Sequence, residues 1–145
     1  MPVATLLANF PASATYAGQY ARVSDLYSSV DEIMRCRFDG TNYRWVPQRE
    51  AKTGTTAATS GTVTITPLVT PSTIRATGSL LGNLTFNPLT ANAYDGQRHT
   101  VIMEGALGLF TSTLTGLLGS NITLAGNNAT TIQFSAANNG WFKSA

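Results

Sequence analysis

From Gln19 to Leu26 the chain alternates, with Tyr20, Arg22 and Ser24 on one side and Ala21, Val23 and Asp25 on the other. A period of two marks a strand, and polar residues on both faces place it at an edge. MRCRF then puts Met34, Cys36 and Phe38 on one face and Arg35 and Arg37 opposite, a half-buried strand. DGTN follows as a tight turn, since Asp and Gly accept positive φ, and YRWVP leads away with Tyr43 and Trp45 on one face. Pro47 ends that ladder by removing a donor. LYSSVDEIMRC also admits a short helix capped at Ser28 or Ser29, with Glu32 as capping-box partner.

Between Thr53 and Thr62 the run TGTTAATSGT holds two glycines and no large side chain, which predicts a linker over 53–62. Beyond it TVTITPLV, STIRATGSL, GNLTFNPL, QRHTVIMEG, SNITLAG and TTIQFSA are short β phrases punctuated by Gly, Pro or Asn. That spacing predicts a β-sandwich or jelly-roll-like module over 63–145. LGLFTSTLTGLLG is apolar but broken by Gly108, Gly116 and Gly119, which reads as a buried loop or a surface that a partner covers. The expected fold class is all-β: an arm at 1–13, a small β-hairpin module at 14–52, the linker, and the larger module.

One phrase occurs twice. Tyr16–Val23 and Tyr94–Val101 both fit Y-x-G-Q-x-x-x-V, and each block ends on an Asx-Gly turn before a Trp, in FDGTNYRW and AANNGW. Gly18 and Gly96 would supply a backbone position that residues with a Cβ resist, and Trp45 and Trp141 would each close a small core. A scaffold reuses such a turn; an active site is seldom duplicated.

Composition narrows the function. Charged residues make up only 11% of the 145, and after Lys52 only Arg75, Asp95, Arg98, Glu104 and Lys143 carry charge, so this surface is kept wet by Thr, Ser, Asn and Gly. Sparse charge weakens protection against association and suits a subunit of an assembly. The net charge of +2 comes from basic residues interleaved with acids, without the dense stripe of a nucleic-acid binder. Cys36 stands alone, which excludes an internal disulfide and a multi-cysteine zinc site, and nothing suggests a cofactor. MPVATLLANFP lacks the basic region and long apolar core of a secretory signal, and no run approaches a membrane span. The chain is therefore expected to stay in the cytoplasm where it is made, and the sequons at Asn83, Asn121 and Asn128 reflect only richness in Asn and Thr.

Catalytic constellations are weak. Asp31 and Glu32 are adjacent and point to opposite faces of a strand, Asp25 and Asp39 lie near turns, and Glu104 has no acidic neighbour in sequence. His99, the single histidine, lies beside Arg98 without a nucleophile-elbow phrase and reads as a surface residue. No enzyme is expected.

PASATYAGQYARVSDLYSSV followed by RCRFDGTNYRWVP resembles a small β module of tailed-bacteriophage virion structural proteins. The likeness rests on Ala14, Gly18, Ala21, Val23, Asp25 and Leu26, then on Asp39, Gly40, Trp45 and Pro47. The second half, through Ala93, Gly96, Gln97, Gly140 and Trp141, resembles a β module of phage fibres and head decorations. The resemblance implies a non-enzymatic, homotrimeric virion protein assembled in the host cytoplasm. Foremost is a decoration or cement protein that binds major capsid protein or other virion subunits on the outside of the head. A short tail or head fibre or adaptor subunit is the alternative, with weak glycan contact through Tyr16, Tyr20, Tyr27 and Tyr43. Val3, Leu6, Leu7 and Phe10 in the arm are the expected docking residues, and Leu114, Leu117 and Leu118 the expected seam between protomers.

Overall fold

The computed structural model describes residues 1–28, 30–49 and 52–145; Ser29, one of the two proposed helix caps, and the module boundary at residues 50 and 51 lie outside the described residues. The chain opens with helix α1 (Val3–Asn9) and a 3-10 turn (Ala14–Tyr16), followed by β1 (Tyr20–Leu26), β2 (Val30–Phe38) and β3 (Tyr43–Pro47). These strands form an antiparallel sheet in the order β1-β2-β3, so β1 is an edge strand as its pattern predicts, and β2 occupies the stretch that a helix also suited. The turn between β2 and β3 is held by Asp39, whose Oδ1 accepts the N–H groups of Thr41 and Asn42 at 3.0 and 2.7 Å.

The arm expected at 1–13 is not free. Val3, Leu6, Leu7 and Phe10 recur at the i, i+3, i+4, i+7 spacing of an amphipathic helix. Val3 and Leu6 are 3% and 1% exposed in a core shared with Val23, Met34, Cys36 and Trp45. A three-stranded sheet has a bare inner face, and α1 is what covers it.

The remaining strands are β4 (Thr53–Thr56), β5 (Gly61–Ile65), β6 (Thr73–Ala76), β7 (Leu84–Pro88), β8 (Arg98–Met103), β9 (Ser112–Leu114), β10 (Ile122–Leu124), β11 (Ala129–Ser135) and β12 (Gly140–Lys143). The chain winds between two sheets, ordered β12-β11-β8-β6-β4 and β10-β9-β7-β5. They face each other across one core, with Ile74, Val101, Ile132 and Trp141 from the first and Ile65, Phe86, Leu114 and Leu124 from the second. The all-β class and the two-sheet packing are as expected, but the strand direction is not that of an antiparallel jelly roll. β4, β6 and β8 are mutually parallel, as are β5, β7 and β9. The expected linker at 53–62 is a correction: it contains β4 and the first residues of β5. Its small residues are needed for packing, since a Cβ on Gly54 would lie 2.5 Å from Pro71 Cγ.

The repeated phrase builds the same device twice. Gly18 and Gly96 have φ of +80° and +82°. The N–H of Gln19 returns to Tyr16 at 2.9 Å and that of Gln97 to Tyr94 at 3.0 Å. Gly18 then donates to the carbonyl of Cys36 and Gln19 accepts from its N–H, while Gly96 and Gln97 do the same with Phe134. In the next strand Cys36 pairs with Trp45 and Phe134 with Trp141. Both indole N–H groups reach back to a carbonyl just before the phrase, Trp45 to Phe10 at 2.8 Å and Trp141 to Leu89 at 2.9 Å. Strands β8-β11-β12 thus repeat β1-β2-β3, with residues 104–128 inserted where the first copy has a turn.

Candidate functional site

Of the expected docking residues, Val3 and Leu6 are consumed by the chain's own core and Leu7 is partly buried against it; Phe10 remains 38% exposed, with its ring edge-on to Tyr16. Of the expected seam, Leu114 is fully buried and belongs to the second core, and Leu117 packs partly against that core. Leu118 is 43% exposed, its N–H bound to the Trp141 carbonyl.

The most exposed aliphatic residues lie elsewhere. Leu81 is 77% and Leu109 100% exposed, with Phe110 beside it. They project from successive corners where the chain passes from one sheet to the other, at residues 77–83 and 104–111. These corners are stacked backbone on backbone. Leu80 donates to Ala106, Leu81 to Thr59 and Leu84 to Thr111, and a Cβ on Gly105 would fall 2.1 Å from the Gly78 carbonyl oxygen. Leu80 is buried while its neighbour Leu81 is not. The doublet in SLLG carried no sign of which leucine faces out, so the patch was missed.

Among the described residues three ion pairs form, Arg22 with Asp31, Arg49 with Glu32 and Arg75 with Glu104. Asp31 is bound by Arg22 across the outer face of the first sheet, which holds its carboxyl below the usual range. Buried Glu32 accepts from the Ile33 N–H at 2.8 Å and faces Arg49 at 3.3 Å. These four side chains line one shallow cleft of about 270 Å³. Glu104 is gripped at both oxygens by Arg75, at 2.7 and 2.8 Å, and its carboxyl is lowered by those hydrogen bonds. A general acid needs a raised carboxyl, and neither Asp31 nor Glu104 is raised. Of the tyrosines, Tyr27 is buried, Tyr16 and Tyr43 are half-buried, and Tyr20 is 61% exposed with the Arg35 guanidinium 5.6 Å from its ring centre.

His99 is not on the surface, contrary to the expectation. It points inward from β8, fully buried, its Nδ1 donating to the Pro71 carbonyl at 3.1 Å and its ring 5.4 Å from that of Trp141. Burial pushes its pKa down to about 4, so the ring is neutral at neutral pH. Among the described residues, its Nε2 and the Nε2 of Gln97 are buried without a hydrogen-bond partner. The alternation QRHTVIM placed His99 on the same face as Val101 and Met103, a signal that was available.

Among the described residues no three His, Cys, Asp or Glu side chains gather as a metal site, and no helix is long and apolar enough to cross a membrane.

No family model matches this chain, and no curated protein matches it. Three solved chains do, one of them described as "Structure of a chaperone-substrate complex", with a TM-score of 0.47 and 13% sequence identity. That match covers 88% of this chain, which spans about a quarter (25%) of the solved one.

Proposed function

We propose that this protein is a structural subunit of a phage virion, a decoration protein that sits as a homotrimer on the outside of the head and reinforces the shell. The setting comes from the resemblance of both repeated units to phage virion modules. The observation that carries a subunit role is the set of exposed apolar side chains Leu81, Leu109 and Phe110 on two stacked corners, in the half of the chain where charged residues are few. Such a patch favours a bound state, and binding to the assembled shell but not to separated shell subunits stabilises assembly by mass action. A fibre or adaptor subunit is the second reading, favoured by exposed Tyr20 under Arg35 as a glycan platform.

Copy number per purified particle tests the proposal. Decoration predicts many copies distributed over the head, and a trimer in light scattering. Leu109→Ser should leave folding intact, since that side chain makes no buried contact, and should lower occupancy on particles about tenfold. A handful of copies at one vertex would defeat the decoration reading in favour of the adaptor.

A further inference from the structure

The two facing sheets of the winding part finish differently at their two ends. At the far end the chain lays residues 117 and 118 along β12: Leu117 bridges Trp141 in parallel, and the Leu118 N–H donates to the Trp141 carbonyl at 2.7 Å. At the near end β4 and β5 are the edge strands, and among the described residues no strand lies outside them. β5 stands between β4 and β6 in the chain, so its edge is not made by a chain end. The Gly61 N–H goes to the Asn83 carbonyl at 3.0 Å, and the Ile65 carbonyl accepts from Leu89 at 2.9 Å, both toward β7. Alternate residues of a parallel strand face opposite neighbours, so Val63 shares that direction while Thr62 and Thr64 turn N–H and carbonyl outward. On β4 the Lys52 and Thr56 carbonyls accept from Thr73 and Thr77, which leaves Thr53 and Thr55 facing out in the same way. Among the described residues none of these four threonines has a partner for its outward backbone groups.

An edge strand is ordinarily guarded by charge, proline or a bulge. β5 reads GTVTI and pairs with β7 in unbroken register, and no charged residue occurs between Lys52 and Arg75. Val63 pairs with the fully buried Phe86 yet is itself only half-buried, at the open end of the core. Two outward residues flanking a central one make a strand that matches itself. About a twofold axis through Val63, Thr62 of one copy meets Thr64 of the other in antiparallel, and each pair exchanges both of its N–H to carbonyl bonds. Threonine then faces threonine with no like charges opposed, and each Val63 covers the other. We propose that the outer edge of β5 docks a second copy of this chain, antiparallel and centred on Val63, which joins two four-stranded sheets into one continuous sheet.

This twofold contact is separate from the threefold seam of the virion reading and is tested without particles. Across the axis the two Val63 residues form a non-hydrogen-bonded pair with Cα atoms about 4.5 Å apart, within reach of a disulfide. Val63→Cys in the full chain should therefore give a covalent dimer under mild oxidation, while the wild type, whose single Cys36 is buried, should give none. Thr123→Cys, on the exposed edge strand at the other end of the same sheet, controls for random collision. The double variant Thr62→Lys, Thr64→Lys places lysine opposite lysine at both pairs; on the Val63→Cys background it should lower the dimer yield about tenfold. Both replaced side chains are exposed, so the fold should be unaffected. In the wild type, amide exchange at Thr62 and Thr64 should slow about tenfold as protein concentration is raised into the dimeric range. Dimer from Val63→Cys no greater than from Thr123→Cys, an equal yield with the double lysine variant, or exchange independent of concentration would each overturn the proposal. So would slowed exchange that appears only on adding a capped Gly-Thr-Val-Thr-Ile peptide, which would give the edge to a foreign strand.

Discussion

Lowering the pH should destabilise this protein through one residue, His99. The ring is buried in the folded state with a pKa of about 4, against 6.5 when exposed. The unfolded chain therefore binds a proton that the folded chain refuses. Above pH 6.5 the ring is neutral in both states and nothing is lost; the loss accumulates as pH falls from 6.5 toward 4 and is complete below the folded value. Those two values give a loss of about 2 kcal/mol between about pH 7 and about pH 5, and about 3 kcal/mol at full extent. With a urea slope of about 2 kcal/mol/M, the first figure moves the unfolding midpoint down by about 1 M. Carboxylates such as Asp31 and Glu104 also titrate in acid, so the quantity to measure is the difference in pH slope between wild type and His99→Gln, each followed by urea unfolding. The variant carries a fixed offset from the altered contact with Pro71, but its slope over this window should be shallower. Equal slopes would refute the account, because a histidine that protonates in the folded state without cost is not sealed in the core.

Replacing Gly18 or Gly96 by Ala should cost about 1–2 kcal/mol each, and nearly the same at both, because φ is +80° and +82° and the space around the new Cβ is empty. Gly105→Ala should cost at least about 2 kcal/mol more than either, since its Cβ meets the Gly78 carbonyl at 2.1 Å; an equal loss would refute the stacking of the corners. Trp45→Phe and Trp141→Phe should each cost about 1–3 kcal/mol in urea unfolding, by stranding the Phe10 or Leu89 carbonyl, and a loss under about 0.5 kcal/mol would remove that bond from the shared plan.

How far the sequence could be read depended on the range of the interactions. The DGTN turn, the edge character of Tyr20–Leu26 and the likeness of the two Y-x-G-Q phrases were legible, since each rests on residues within one turn or on alternation within one strand. The parallel winding was not legible. Alternation of apolar and polar residues in TVTI or STIRA reports that a strand has one buried face but says nothing about the direction of its neighbour. β4 was hidden for a further reason: in TGTT the side chain that packs is Pro71 of another turn, so the strand itself has no apolar face to display. Helix α1 escaped because it has no side-chain cap, although the spacing of Val3, Leu6, Leu7 and Phe10 was sufficient to find it. The exposed corner at Leu81 and Leu109 depends on how loops stack, and that lies beyond any local pattern.

The first unit's core also contains Leu68 and Tyr94, which arrive from the winding part of the chain. For a polypeptide emerging from the ribosome this sets an order of events. Strands β1 to β3 are complete at Pro47 through pairings of short sequence separation, which form fast. Sheet β12-β11-β8-β6-β4 must wait for its last strands, because β8 takes its antiparallel partner from residues 129–135. A first unit that formed in this interval would have two sockets open, filled by Leu68 and later by Tyr94 as each is synthesised. The Tyr27 N–H, bound to the Leu68 carbonyl at 2.8 Å, fixes the first of these landings. Formed in that order, the N-terminal unit would be a platform on which the slower, long-range part of the molecule is laid down turn by turn.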